Sequence, residues 1–139
     1  MKPRIIKGNS FSDSRGTLTY NNSFDASEIK RIYTLTNHEV IFKRGWQGHK
    51  IEQRWFSAIS GSFQIKTAAI DNWEQPLKEL EILSFNVYSK NLDVLHIPSG
   101  YITLITALEE DSKLLAMSDH FLGEVNDECR YDIDHFNSF

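Results

Sequence analysis

Short runs rich in β-branched and aromatic residues, broken by turn residues, set the hydrophobic pattern of this chain. Ile29-Lys30-Arg31-Ile32-Tyr33-Thr34-Leu35 is one such run, and residues 54–66 divide into two strands at Ser60-Gly61, where the glycine permits a tight bend. Residues 80–87, 93–97, 101–108 and 113–118 read the same way, punctuated by Lys90-Asn91, Pro98-Ser99-Gly100 and Glu109-Glu110-Asp111-Ser112. The pattern predicts seven or eight strands. Residues 23–29 and the last twenty positions have room for short helices, but neither sustains a 3.6-residue apolar period.

Many short strands without intervening helices predict an all-β sandwich or jelly roll, because βαβ units need a helix at every parallel crossover. Residues 71–78 lack alternation and include Pro76, so they read as a long loop with Trp73 as its anchor. No repeat, low-complexity tract or shift in composition divides the chain, and residues 1–139 read as one domain.

Composition narrows the classes of partner. A chain of 139 residues with 40% hydrophobic positions can bury a sizeable core without disulfide or metal staples. The formal net charge is −4 and the Lys and Arg residues are scattered, so no basic stripe exists to neutralise a phosphate backbone, and a nucleic-acid partner is not expected. The single cysteine, Cys129, cannot close an internal disulfide, which suits a reducing cytoplasm. No stretch is long and apolar enough for a membrane span, and the opening MKPRIIKGNSF lacks the apolar centre of a secretory signal. The expectation is a cytoplasmic protein without membrane contact.

The densest group of reactive side chains is Arg44-Gly45-Trp46-Gln47-Gly48-His49-Lys50-Ile51-Glu52-Gln53-Arg54-Trp55. Read as extended chain, it puts Gln47, His49, Ile51, Gln53 and Trp55 on one face, and Trp46, Lys50, Glu52, Arg54 and Phe56 on the other. The first face mixes polar orienting groups with apolar walls, as a small-molecule pocket does. The same alternation fits an ordinary strand with solvated charges, so spacing alone leaves both readings open. Elsewhere, His96 reads as a structural strand histidine, and Asp119-His120 as neighbours that a strand would point to opposite faces. Asp127 and Glu128 beside Cys129 oppose thiolate formation.

The run R-G-W-Q-G-H-K, followed by E-Q-R-W-F, S-G-S-F and V-L-H-I-P-S-G-Y, resembles the cupin-fold sugar-nucleotide enzymes. Within them it is similar to the dTDP-4-dehydrorhamnose 3,5-epimerases and the WxcM-like dTDP-4-keto-6-deoxyhexose 3,4-ketoisomerases. The likeness extends from Ser12-Asp13-Ser14-Arg15-Gly16, which matches an opening D-x-R-G element, to Tyr131-Asp132. It implies a cupin jelly roll and a homodimer. In the ketoisomerase motif R-G-x-H-x-H, Arg44 matches the arginine and His49 the second histidine, while Gln47 stands at the first. The epimerase base of R-G-x-H also falls at Gln47, the histidine after P-x-G falls at Thr103, and the acid tyrosine falls near His120-Phe121.

The resemblance implies an isomerase or epimerase acting on a dTDP-4-keto-6-deoxyhexose. Removing a proton beside a carbonyl creates an enediolate, so such a site needs a base that titrates near neutrality and cations or donors at the developing oxyanion. His49 is the expected proton carrier, with Arg44 and Lys50 as oxyanion or phosphate partners. The expected substrate contacts are Gln47, Arg15, Gln53, Trp55, Tyr101 and Thr103, with Arg31 and Arg54 as further candidates for the pyrophosphate. A nucleobase would stack on Trp46 or Trp55, unless these indoles belong to the core. The reaction needs no redox cofactor, and the broken doublet Gln47-Gly48-His49 argues against a metal. The missing histidines keep a second reading open, a non-catalytic cupin that binds a sugar nucleotide or another carbohydrate.

Overall fold

A computed structural model describes residues 1–136. Eight strands form the frame: β4 (Arg31–Leu35), β5 (Lys43–His49), β6 (Arg54–Ser60), β7 (Ser62–Ala69), β8 (Leu83–Tyr88), β9 (Val94–Ile97), β10 (Tyr101–Ala107) and β11 (Lys113–Ser118). One sheet runs β4-β11-β6-β9 and the other β5-β10-β7-β8, every pair antiparallel. Counted from β4 as first, the sheets hold strands 1-8-3-6 and 2-7-4-5, so most successive strands change sheet, which is the jelly-roll order. The all-β cupin architecture expected from the sequence is therefore present.

The remaining strands are ones the hydrophobic pattern did not announce. β1 (Arg4–Ile6) lengthens the first sheet beyond β9, and β12 (Glu128–Arg130) lengthens the second beyond β5. β2 (Asn9–Asp13) and β3 (Gly16–Tyr20) pair only with each other as a polar hairpin. All four are short, and tertiary pairing rather than a two-residue period creates them. The short helices allowed for at 23–29 and in the last twenty residues do not form; positions 137–139 lie outside the described residues. Among the described residues the sole helical turn is a 3-10 turn at Ser89–Asn91.

Alternation along the strands sorts the apolar residues into three clusters. Phe56, Ala58, Phe63, Ile65, Val87, Leu95, Ile97, Ile105, Leu114 and Ala116 fill the space between the sheets. On the outer side of the second sheet, Trp46, Ala68, Ile102, Leu104 and Phe136 pack under Trp73 from the long loop, so Trp73 is the anchor expected of it, and under Leu80 and Ile82, which precede β8 rather than beginning the strand expected from residue 80. On the outer side of the first sheet, Ile6, Trp55, Val94 and Met117 are covered by Phe24 and Ile29, which is the work of segment 23–29 in place of a helix. Full burial of a side chain such as Phe63 or Leu95 contributes about 1.5–3 kcal/mol.

Gly48 sets how closely β5 and β10 approach. A Cβ at this position would lie 2.6 Å from Ile102 Cγ2 and 2.8 Å from the carbonyl oxygen of Tyr101. The glycine lets the two strands pair tightly on either side of the residues described next.

Candidate active site

At one end of the sandwich the central layer opens into a cavity of about 320 Å³. Phe56, Ile97 and Ile105 continue the apolar core as part of its lining, and charged and polar side chains stand beyond them beside a second apolar group that includes Phe121, Leu122 and Val125. β4 contributes Arg31 and Tyr33, β6 contributes Arg54, and β10 contributes Tyr101 and Thr103, each set obeying the two-residue alternation of a strand.

β5 departs from that alternation. Gly45 pairs with Leu104 and Gln47 with Thr103, so Trp46 is an extra residue in the ladder. The bulge sends Trp46 to the outer cluster and returns Arg44 to the side of Gln47 and His49, and all three line the cavity. Without it, alternation would part Arg44 from His49.

His49 is the centre of the charged group, with 7% of its surface exposed. Its Nδ1 lies 3.2 Å from Oδ1 of Asp127 and 3.1 Å from Oε2 of Glu52. Its Nε2 lies 2.5 Å from Nη2 of Arg54. Carboxylates accept and guanidinium donates, so the imidazole proton sits on Nδ1 and the lone pair on Nε2. Burial pushes the His49 pKa below its ordinary value, and the Arg54 cation pushes the same way, outweighing the two carboxylates. The ring is held neutral, the form that can accept a proton.

The two carboxylates are fixed from behind. Asp127 Oδ2 accepts the backbone N–H groups of Ile51 at 2.8 Å and Glu52 at 2.7 Å. Burial raises the Asp127 pKa, but those two N–H groups and His49 outweigh it and hold the carboxyl below its usual value. Burial likewise raises Glu52, while the Ser118 hydroxyl, Arg54, His49 and Arg31 bring it below its usual value. Arg31 pairs with Glu52 at 3.1 Å. The Arg54 guanidinium also donates to the Tyr33 hydroxyl, and both Arg31 and Arg54 lie over the Tyr33 ring, at 5.0 and 5.6 Å from its centroid.

The opposite wall is built by β5 and β12. Gln47 donates through Nε2 to Glu128 at 2.6 Å, and Arg130 donates to the same carboxylate oxygen at 2.6 Å. Register places Glu128 beside His49 and Arg130 beside Gln47. Arg44, exposed at the rim, makes no ion pair among the described residues and is free to meet an anion. His49, Glu52 and Asp127 offer ligand atoms within 4.8 Å of one another and could hold a cation; the positive charge beside them here comes from Arg31 and Arg54.

Of the residues singled out from the sequence, Arg44, Gln47, His49, Tyr101 and Thr103 line this cavity. Lys50, Arg15, Gln53 and Trp55 do not. β5 ends at His49, and residues 50–53 form a turn, so the single face expected from Gln47 to Trp55 is broken. Lys50 is exposed beyond the strand end, and Arg15 pairs with Asp13 at 2.7 Å on the exposed β2–β3 hairpin. Trp55 is buried on the outer side of the first sheet, stacked on His96 at 4.8 Å, and Trp46 is equally buried in its own cluster, so neither indole faces the cavity. Gln53 accepts from His96 Nε2 at 2.7 Å and donates to Asp119 Oδ2 at 3.1 Å. Asp119 and His120, expected to diverge, bond at 2.8 Å because β11 ends at Ser118.

Glu52, Asp127, Glu128 and Tyr33 were not singled out. Asp127 lies 78 residues from His49 in sequence, and no local pattern joins them. The one signal for Glu52 was its spacing of three from His49 at a strand end, where alternation no longer applies.

The family model described as FdtA: WxcM-like, C-terminal matches residues 1–138. No curated protein matches the chain in sequence. Among solved structures, the sugar 3,4-ketoisomerase QdtA from Thermoanaerobacterium thermosaccharolyticum, in complex with TDP, shares 22% identity over 96% of this chain and 91% of that one, with a TM-score of 0.72. The WlaRB TDP-quinovose 3,4-ketoisomerase from Campylobacter jejuni shares 20% identity over 93% and 92% of the two chains, with a TM-score of 0.69. A dTDP-4-dehydrorhamnose 3,5-epimerase from Sulfolobus tokodaii shares 15% identity over 98% and 80%, with a TM-score of 0.74. At these identities the likeness is one of fold.

Proposed function

The chain belongs to the WxcM-like, C-terminal family, and from that membership and its cavity we propose that it is an isomerase or epimerase acting on a dTDP-4-keto-6-deoxyhexose. The observation that carries this reading is the neutral His49, its proton fixed on Nδ1 by two carboxylates and its Nε2 lone pair turned to Arg54. Proteins of similar fold are described as 3,4-ketoisomerases and 3,5-epimerases of TDP sugars, one of them in complex with TDP, which supports the substrate class.

In this reading, Nε2 of His49 removes the proton from the carbon next to the ketone. Negative charge moves onto the ketone oxygen, where Arg54, already positioned at the base, stabilises the enediolate. When the neighbouring hydroxyl passes its proton to the former ketone oxygen and Nε2 returns a proton, exchanged with solvent, to the carbon that bore the ketone, the carbonyl moves by one position, so a single carbon base suffices for 3,4-ketoisomerisation. Burial and Arg54 favour the neutral ring, which keeps the base ready. Arg44 holds the pyrophosphate, and Tyr101 and Thr103 contact the sugar. Arg54 takes the role that Lys50, exposed outside the cavity, was expected to fill. The same reading takes the protein to be a cytoplasmic homodimer, with light scattering and cell fractionation as the checks.

One observation favours a second reading, a binding module without catalysis. Arg54 occupies the lone pair of His49 at 2.5 Å, and Gln47 cannot carry a proton. Incubation of dTDP-4-keto-6-deoxyglucose with the protein in deuterated water separates the two. Solvent deuterium entering the hexose with wild-type protein, and none with His49→Asn, is the expected result. Binding of the sugar nucleotide with no label above background would replace the enzyme with the binding module.

A further inference from the structure

The cavity has two chemically different walls. On the β4 and β6 side stand Arg31 and Arg54, whose buried Nε–H groups have no hydrogen-bond partner among the described residues. That wall holds unspent donors. On the β5, β10 and β12 side, beside the donors Arg44, Arg130 and Tyr101, stand Gln47, Thr103 and Glu128.

Counting donors among Gln47, Thr103 and Glu128 gives the opposite result. A carboxylate accepts hydrogen bonds and cannot donate them, so only the amide nitrogen of Gln47 can face Glu128, at 2.6 Å. The nitrogen end is thereby committed, and the amide oxygen has no partner among the described residues. Thr103 donates its hydroxyl proton to the backbone carbonyl of Gln47 at 3.4 Å, which leaves its lone pairs. Oε1 of Glu128 receives both Gln47 and Arg130, and no described residue donates to Oε2. What Gln47, Thr103 and Glu128 have left to offer is acceptance, while the donors of this side belong to Arg44, Arg130 and Tyr101.

A ketone and a hydroxyl differ in the same respect. A ketone oxygen has no proton to donate and is served by Arg31 and Arg54, whereas a hydroxyl can donate to the acceptors of Gln47, Thr103 and Glu128. We propose that Gln47, oriented by Glu128, is a specificity-determining residue whose amide oxygen accepts a hydrogen bond from a ring hydroxyl of the bound hexose. The hexose then lies with its carbonyl edge toward Arg31 and Arg54 and that hydroxyl toward β5. Glu128 acts as a positioning residue through the amide. An amide does not titrate, so this preference is independent of pH near neutrality, as an imidazole at the same position would not be. The proposal rests on the sugar-nucleotide reading above and adds the direction in which the sugar lies.

The test uses calorimetric titration of the full chain with dTDP, dTDP-glucose and the 2-deoxy-2-fluoro and 3-deoxy-3-fluoro analogues of dTDP-glucose. Fluorine fills the place of a hydroxyl but donates nothing. One of the two analogues is expected to bind wild-type protein roughly tenfold more weakly than dTDP-glucose, the effect of one lost hydrogen bond. In Gln47→Leu and Gln47→Met, each checked for fold by circular dichroism, the difference between analogue and parent disappears. In Glu128→Ala it shrinks, because the amide is free to turn. Equal binding of parent and both analogues by wild type, or discrimination that persists in both Gln47 variants, overturns the proposal while leaving the sugar-nucleotide reading standing. If wild-type protein binds neither dTDP nor dTDP-glucose, that reading fails and the proposal falls with it.

Discussion

Arg54 donates to the nitrogen of His49 that lies opposite Asp127, so one imidazole is held between a cation on its Nε2 and an anion on its Nδ1. The tautomer and the charge state of the ring follow from that pair of contacts, and so do the first two predictions.

Arg54→Gln removes one of the two influences that keep the His49 pKa low, leaving burial opposed by two carboxylates. The His49 pKa is expected to rise, and the acid limb of the rate of deuterium exchange to move to higher pH with it. Titration of the His49 Cε1–H resonance by NMR reads the shift directly; an unmoved or lowered pKa would mean that Arg54 does not act on the ring.

Asp127→Asn tests the tautomer. The amide oxygen must still accept from the backbone of Ile51 and Glu52, which turns the amide NH2 toward Nδ1 of His49. The ring would then need its proton on Nε2, where Arg54 also donates. Exchange activity should fall by roughly 10²–10⁴-fold, as when an orienting carboxylate is replaced by its amide, and stability by about 1–3 kcal/mol. Nitrogen-15 chemical shifts of the imidazole would show whether the proton has moved.

Stability should decline as the solution is acidified, for a reason with a definite sign. The His49 pKa is lowered on folding, so below about pH 6.5 the unfolded chain takes up a proton that the folded chain refuses. The stabilisation is complete above that pH and is lost as pH falls toward the folded pKa. Asp127 and Glu52, also lowered on folding, continue the loss further into the acid range. In urea denaturation at a series of pH values, His49→Asn should flatten the decline just below pH 6.5 and leave the more acidic part in place.

Gly48→Ala inserts a methyl group where Ile102 and the Tyr101 carbonyl already lie within 2.8 Å. β5 and β10 must separate, at a cost of roughly 1–3 kcal/mol, and the displacement falls on Gln47 and His49, the residues on either side. A lowered melting temperature together with weaker dTDP-glucose binding is expected. A melting temperature equal to that of wild type would show that the two strands have room to spare.

The fold was largely legible from the sequence because its signals are local. The strands from β6 to β11 announce themselves through β-branched and aromatic runs separated by turn residues, and each was found close to its expected bounds. β2, β3 and β12 were not, since polar residues such as those of Asn9–Asp13 acquire strand geometry from a partner rather than from their own pattern. The candidate site was legible in part. His49, Gln47 and Arg44 share one short stretch of sequence and one cavity, but the expected continuation to Gln53 and Trp55 failed at the turn after His49, where a two-residue period has no meaning.

The sequence by itself determined the all-β class, the loop at 71–78 and the stretch that carries the histidine. These depend on neighbours a few positions apart, whose side-chain directions follow from backbone geometry. Only the tertiary structure decided which groups meet that histidine. Asp127 reaches it because β12 pairs with β5, Arg54 because the two sheets face each other, and Arg44 because one extra residue at Trp46 shifts the ladder. Contacts between residues up to 78 positions apart are set by sheet pairing and by how two sheets close on one another, and no local period encodes either.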